Sequence, residues 1–363
     1  MRIAKLDHLR ALAAILVLLD HFTSGVKRNG SIPHDAVVSF LRSGHLGVSL
    51  FLVLSGYVLT QSAIKNREVF TYSNFIKRRL FRIFPALIVL FILVITATRA
   101  TSTPMDIIRL ITLQFNTGND LSGWGNDVLP VGVMWTASVE LQIYLLFPLL
   151  LALAMRPRGL RFLIEVCAFV LVLRFVFLAS LGSGWSDLYH TILGRLDQFV
   201  LGMILALFMS HKFSTSRAKS WSLFLFAIFG FIALGQFRGV YRDFYTSTIG
   251  GSVSFLVEGL IFAAIIYTYQ SPGIAIHKRL SDSLAWVGER SYSVYLFHLL
   301  VGRVIVGYLN QLGLWNPGSL TNALLVAVLV VLPGVLLFSA LSYRIVEKPF
   351  IELGKLKKFS LLN

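Results

Sequence analysis

A chain of 363 residues that is 56% hydrophobic and only 14% charged, with a mean hydropathy of +0.75, has too little polar surface to cover a soluble globule; it belongs in lipid. A net charge of +16 does not point to nucleic acid here, because the basic residues fall between apolar segments rather than in one patch, and the membrane surface accounts for them. The lone Cys167 lies in an apolar run, which excludes a disulfide framework or a thiolate metal site within one chain.

Windows of about 20 mostly apolar residues mark ten spans, near 7–26, 44–64, 79–98, 133–155, 160–182, 189–210, 220–236, 250–270, 284–310 and 320–347. The first superficially resembles a secretion signal, since Arg2 and Lys5 precede the short apolar run Ala11–Leu19. Asp7 and Arg10 interrupt that pattern, no small-x-small cleavage site follows, and more spans come after, so the segment is expected to remain as a span. Arg10 and His21 are eleven positions apart, which at about 100° per residue returns to within about 20° of one face, with about 16 Å between them along the axis. Arg10 is thus expected near the cytoplasm and His21 near the outer side. Asp7 falls on nearly the same stripe, whereas Asp20 points about 100° away from His21 and excludes an intrahelical His–Asp dyad.

The third span opens with Arg78, Arg79 and Arg82 before Pro85. These are either snorkelling topology anchors or guanidinium forks for phosphate; with Arg10 at comparable depth they could hold a polyanionic cofactor at the inner face. The connection at 99–132 combines a short apolar helix candidate, Met105 to Phe115, with a Gly, Asn and Trp stretch from Asn116 to Asp127, a candidate acceptor site or a surface lid. In the fourth span Glu140 lies near the depth of His21, where a carboxylate could fix an imidazole's tautomer and stabilise its protonated form. The alternative is a buried ion pair with Arg174 or Arg195. The seventh span is short enough to be tilted or partly re-entrant, and His298, deep in the ninth, reads as a hydrogen-bonded structural group rather than a second base.

Inner connections carry Lys65, Arg67, Lys77, Arg78, Arg156, Arg158, Lys212, Arg217, Lys219, Lys278 and Arg279, and the tail adds Lys355, Lys357 and Lys358. Outer connections are poorer in Lys and Arg, so both termini are expected in the cytoplasm. No fixed-period repeat, low-complexity tract or appended soluble domain is visible, which predicts a single membrane domain over 1–363. The eight histidines show no paired metal-ligand spacing, so no metal is expected. The 29 Phe fit lipid-facing packing and interfacial belts.

Seven ordered motifs carry a resemblance over nearly the whole length. They are Leu6-Asp7-His8-Leu9-Arg10-Ala11-Leu12-Ala13 with His21 after it, Gly47 to Gly56, Arg79-Leu-Phe-Arg82-Ile-Phe-Pro85, Trp135 to Pro148, Arg195-Leu-Asp197-Gln-Phe199, Ser291 to His298, and Tyr343-Arg-Ile-Val-Glu347-Lys-Pro349-Phe. Together they resemble the acyltransferase-3 family of integral membrane O-acyltransferases. The resemblance implies an all-α polytopic membrane bundle in the cell (inner) membrane. It further implies transfer of an acyl group, usually acetyl from cytoplasmic acetyl-CoA, to a hydroxyl of an extracytoplasmic or lipid-linked glycan. By the same resemblance Arg10 and His21 are the family's first-span arginine and histidine, and Arg79 and Arg82 its paired arginines. His21 would act as base or acyl carrier, and Arg10, Arg79 and Arg82 would bind the donor; support of His21 by Glu140 is expected from its depth, not from the resemblance. Members with a fused extracellular hydrolase-like domain exist; this chain is expected to finish transfer alone or with a separate glycan-assembly protein.

Two positions depart from the family's habit: Ser49 stands where an acid is frequent, and Asp20 where an aromatic or second histidine is frequent. If that acid normally supports the histidine, the role is unfilled or moved in this chain, and Asp20 or Glu140 is expected to take it. The rival class is a transporter or flippase for lipid-linked sugars, which would also use intramembrane charges and helices broken at Pro85, Pro148 and Pro333.

Overall fold

The computed structural model describes residues 4–27, 32–65, 70–100, 102–116, 132–181, 188–209, 217–240, 247–271 and 273–356, and every regular element among them is a helix. In chain order these are α1 (Ala4–Thr23), α2 (Ile32–Leu41), α3 (His45–Lys65), α4 (Tyr72–Ala97), α5 (Pro104–Thr112), α6 (Trp135–Ala154) and α7 (Gly159–Leu181). Then follow α8 (Leu196–Phe208), α9 (Arg217–Val240), α10 (Thr248–Tyr269), α11 (Lys278–Glu289), α12 (Ser291–Gln311) and α13 (Leu320–Leu353), the last containing π-helical turns at Ala327–Val331 and Tyr343–Glu347. Eight of them, α3, α4, α6, α7, α9, α10, α12 and α13, are long and apolar enough to cross a membrane. Their large apolar side chains turned outward, such as Phe226 (74% exposed) and Leu329 (65%), are a liability in water and the proper contact in hydrocarbon. The protein is an all-helical, multi-pass membrane protein, as the sequence predicts.

The other two expected spans take different forms. α1 has the length, 20 residues, but carries Lys5, Asp7, Arg10 and Asp20. The expected span at 189–210 is realised only as the 13-residue α8, about 20 Å long against a hydrocarbon core of about 30 Å. The chain bends through turns over Thr191–Arg195, so α8 begins with Arg195, Asp197 and Gln198 buried at its N-terminus. The expected continuous helix at 284–310 is broken at Arg290, between α11 and α12. The seventh span is not short: α9 runs 24 residues.

Close contacts divide the helices into two units, Met1–Arg67 with Leu149–Glu289, and Glu68–Pro148 with Arg290–Asn363. In the first unit α1 packs chiefly on α3 and α11, and α3 on α8. Leu6, Leu9, Ala13 and Leu16 of α1, at helical spacing, share a core with Leu46, Leu50, Val53 and Tyr57 of α3. α3 and α8 meet through glycines: a Cβ at Gly56 would lie 2.0 Å from the Phe199 carbonyl oxygen, and one at Gly202 2.1 Å from that of Val53. Small residues at a crossing let backbones approach where apolar burial supplies no driving force. In the second unit Tyr292 of α12 donates to the Ile83 carbonyl of α4 at 2.9 Å, and Ser293 donates to Glu347 in the second π-turn of α13.

Candidate functional site

Arg10 and His21 both lie on α1 and both are partly exposed. Arg10 donates through Nη1 to Asp7 Oδ1 at 2.7 Å, one turn back on the same face, a pairing the shared stripe anticipates. Such a pair lowers the cost of a guanidinium within a span. At the other end of α1, Asp20 is pressed against the corner before α3: a Cβ at Gly44 would sit 2.3 Å from the Asp20 Cβ. The backbone at 44–45 therefore touches the helix at the residue preceding His21.

Next to this corner the first unit buries a polar cluster. Glu258 of α10, fully enclosed, receives Ser49 Oγ at 2.6 Å and Gln198 Nε2 at 3.3 Å on Oε2, while His45 Nε2 lies 3.3 Å from Oε1. Ser49 also accepts Arg195 Nη1 at 3.2 Å and Gln198 Nε2 at 3.0 Å. Arg195 is anchored by the Tyr189 carbonyl at 3.0 Å and lies over the Tyr189 and Phe255 rings at 4.1 and 4.9 Å. Arg174 of α7, also fully buried, faces Phe255 at 5.2 Å, pairs with Asp197, and donates to the Leu193 and Ser252 carbonyls at 2.9 and 3.0 Å. Carbonyls at 189 and 193 are available because one helix ends at Tyr189 and the chain turns until α8 begins at Leu196; the break before α8 and the arginine anchors are one feature.

This cluster bears on two sequence readings. The carboxylate hydrogen-bonded to Ser49 is Glu258, a residue the sequence reading did not single out. Arg174 and Arg195, weighed as partners of Glu140, are engaged by Asp197 and by Ser49 with Gln198. Glu258 had a readable signal: it is the only acid in the apolar segment 248–269. His45 had none, standing as it does at a helix boundary.

The second unit holds the other predicted residues. Arg79 lies over the rings of Phe75 and Tyr144 at 5.6 and 5.7 Å, and Tyr144 Oη donates to Glu140 Oε2 at 3.3 Å. The charges of Glu140, Arg79 and Arg82 all act on the Tyr144 hydroxyl, and those of Arg82, Glu140 and Glu347 on that of Tyr292. Arg79 and Glu140, assigned from the sequence to opposite sides of the bilayer, thus meet at one tyrosine. His298 places Nδ1 2.6 Å from the Tyr295 carbonyl and is almost fully buried, consistent with a structural group. The short helix expected in the 99–132 connection is α5, capped by Thr103 and Asp106, and Phe115 N donates to Ser138 at 2.8 Å. The rest of that connection, 117–131, lies outside the described residues.

The sequence profile described as "Acyltransferase domain" matches residues 3–344, nearly the whole chain. The chain belongs to the acyltransferase-3 family. Similar members include "Putative O-acetyltransferase SACOL0978" of Staphylococcus aureus strain COL, 27% identical over 96% of this chain and 57% of the relative. Another is O-acetyltransferase OatA of S. aureus strain NCTC 8325, 26% identical over 98% of this chain and 58% of the relative. The chain therefore spans less than three fifths of the length of these relatives. No solved structure matches it. Family membership makes this an acyltransferase domain.

Proposed function

We propose that the protein is a membrane O-acetyltransferase that moves an acetyl group from cytoplasmic acetyl-CoA to a hydroxyl of an extracytoplasmic or lipid-linked glycan in the cytoplasmic membrane. The observation that carries this reading is the placement of Arg10 and His21 on one edge of α1, both partly exposed and about 16 Å apart, in a chain of the acyltransferase-3 family. A helix with a cation at one end of such an edge and an imidazole at the other is suited to a donor whose phosphates stay at the inner face while its thioester reaches outward. Arg79 and Arg82 add guanidinium forks for phosphate, the pairing for which arginine is better suited than lysine. Glu140 accepts from Tyr144, over whose ring Arg79 lies. The names of the relatives above support O-acetyl transfer.

In this reading the acceptor hydroxyl attacks the acetyl carbonyl carbon, the C–S bond breaks, and the CoA thiolate leaves. His21 either removes the hydroxyl proton or carries the acetyl group transiently on its ring. Full-length protein in vesicles, given acetyl-labelled acetyl-CoA and an envelope-glycan fraction, tests this. His21→Ala is expected to lower transfer by at least about 100-fold with CoA binding retained. Arg10→Ala is expected to act mainly on the donor KM. Retained turnover in His21→Ala contradicts the role of His21, and movement of sugar without transfer supports a transporter instead.

A further inference from the structure

α12 carries a charge that neither the donor side nor the buried cluster uses. From Ser291 to Gly302 none of its residues is exposed, so this part of the helix is enclosed by protein. Arg303 is the first exposed residue, and Val304, Gly307, Tyr308, Asn310 and Gln311 are exposed after it. The helix thus emerges from its packing at Arg303 and presents an open side from there to its end. At 1.5 Å per residue Arg303 stands about 18 Å beyond Ser291 and about 12 Å short of Gln311. That is the half of the span nearer the turn at 312–316, which has no lysine or arginine and is assigned to the outside.

Within the protein this guanidinium has no counterpart. It is the only Lys, Arg, Asp or Glu between Ser291 and Ser342, so neither α12 nor the part of α13 packed on it offers a carboxylate. Among the described residues it makes no hydrogen bond, ion pair or ring contact. An arginine close to a helix end reaches water by snorkelling, but about two turns separate Arg303 from Gln311. An intramembrane charge that the fold itself does not satisfy marks a site for a charged ligand. The open side of a span is reached from the bilayer, so the ligand is an amphiphile, and its charge is negative.

Phosphate is the anion that a guanidinium fork fits best, through two parallel hydrogen bonds. One turn above Arg303, a Cβ at Gly307 would meet nothing within 4 Å, so the helix surface there is bare and leaves room for a bulky group beside the backbone. The amides of Asn310 and Gln311 follow at the exposed end. An edge about 12 Å long accommodates a phosphate with sugar beyond it, whereas a simple phospholipid headgroup would leave most of it empty. Building on the acyl-transfer reading above, we propose that Arg303 binds the phosphate of the lipid that carries the acceptor glycan. The lipid chain lies along the apolar outside of the span, and the sugar rises past Gly307 toward Asn310 and Gln311.

The full chain in detergent, analysed by native mass spectrometry, tests this with three probes: a polyprenyl phosphate bearing a sugar, the matching uncharged polyprenyl glycoside, and phosphatidylglycerol. Wild-type protein is expected to retain the first over each of the others by about tenfold or more. Arg303→Ala should abolish the preference, and Arg303→Lys, which keeps a point charge without the fork, should retain part of it. Gly307→Leu, for which the fold has room, should weaken binding of the sugar phosphate several-fold by filling the bare surface. In the transfer assay Arg303→Ala should raise the KM for the phosphate-bearing acceptor about tenfold and leave the donor KM within about twofold, a split that a general loss of structure would not give. Equal retention of charged and uncharged probes by wild type, equal retention of phosphatidylglycerol, or an unchanged preference in Arg303→Ala overturns the proposal. Arg303-dependent binding by a wild-type protein that transfers no acetyl group supports the phosphate site and contradicts the acyl-transfer reading alone.

Discussion

Asp197 and Arg174 illustrate what a charged residue must satisfy inside a membrane domain. Each is fully enclosed, and the guanidinium is further bound to two carbonyls that irregular backbone or a helix turn provides. Removing one partner leaves the other charge buried alone, so Asp197→Ala should lower stability by about 3–5 kcal/mol. The double variant Arg174→Met with Asp197→Leu should recover most of that loss. Unfolding in a series of detergent mixtures measures both, and additive losses in the double variant would contradict the pairing. At this scale the sequence was legible where intrahelical geometry decides the contact, as with Asp7 and Arg10 at spacing three. It was not legible for Glu258 and Ser49, which lie 209 positions apart and meet only through packing of α3 on α10. Periodicity places a residue on a face but does not say which helix that face meets.

Elements were read well where a span is continuous and poorly where it is interrupted. A hydropathy window of about 20 residues averages over a break, so the half-length α8 and the division at Arg290 were invisible to it. The break before α8 follows from Arg195 and Asp197, whose burial requires irregular backbone to meet them; two ionisable groups within three positions of an apolar run are the signal in retrospect. α13 runs past its expected end at 347 to Leu353, and its second π-turn carries Glu347, which Ser293 meets. The α3–α8 crossing supplies a sharper test of packing. Gly202→Leu should reduce the yield of folded protein several-fold, as the added side chain has no room beside the Val53 carbonyl. Gly230→Ala, with nothing within 4 Å of the new Cβ, should leave yield unchanged, as size-exclusion profiles of fluorescently tagged protein would show. Equal yields for the two would contradict the close crossing.

For the whole molecule, the distribution of lysine and arginine predicts the orientation of every helix. Single cysteines in a Cys167→Ser background test it with a membrane-impermeant maleimide. Lys355→Cys should react only from the cytoplasmic side, and Asn316→Cys, in the lysine- and arginine-free turn between α12 and α13, only from the outside. The reverse pattern would invert the assignment of donor and acceptor faces. The all-helical class and most spans follow from composition and hydropathy. The Glu258 cluster does not, because it is assembled from α3, α7, α8 and α10 and from turns that no local pattern specifies.

The claim on which the rest depends is that acetyl enters from one face and is delivered at the other. Sealed vesicles of both orientations, each given acetyl-labelled acetyl-CoA outside and assayed for label on envelope glycan, test it most directly. Label should accumulate on glycan only in inside-out vesicles, where the donor meets the cytoplasmic face, and should vanish with His21→Ala. Equal labelling in both orientations, or none with active wild-type protein in either, would contradict it.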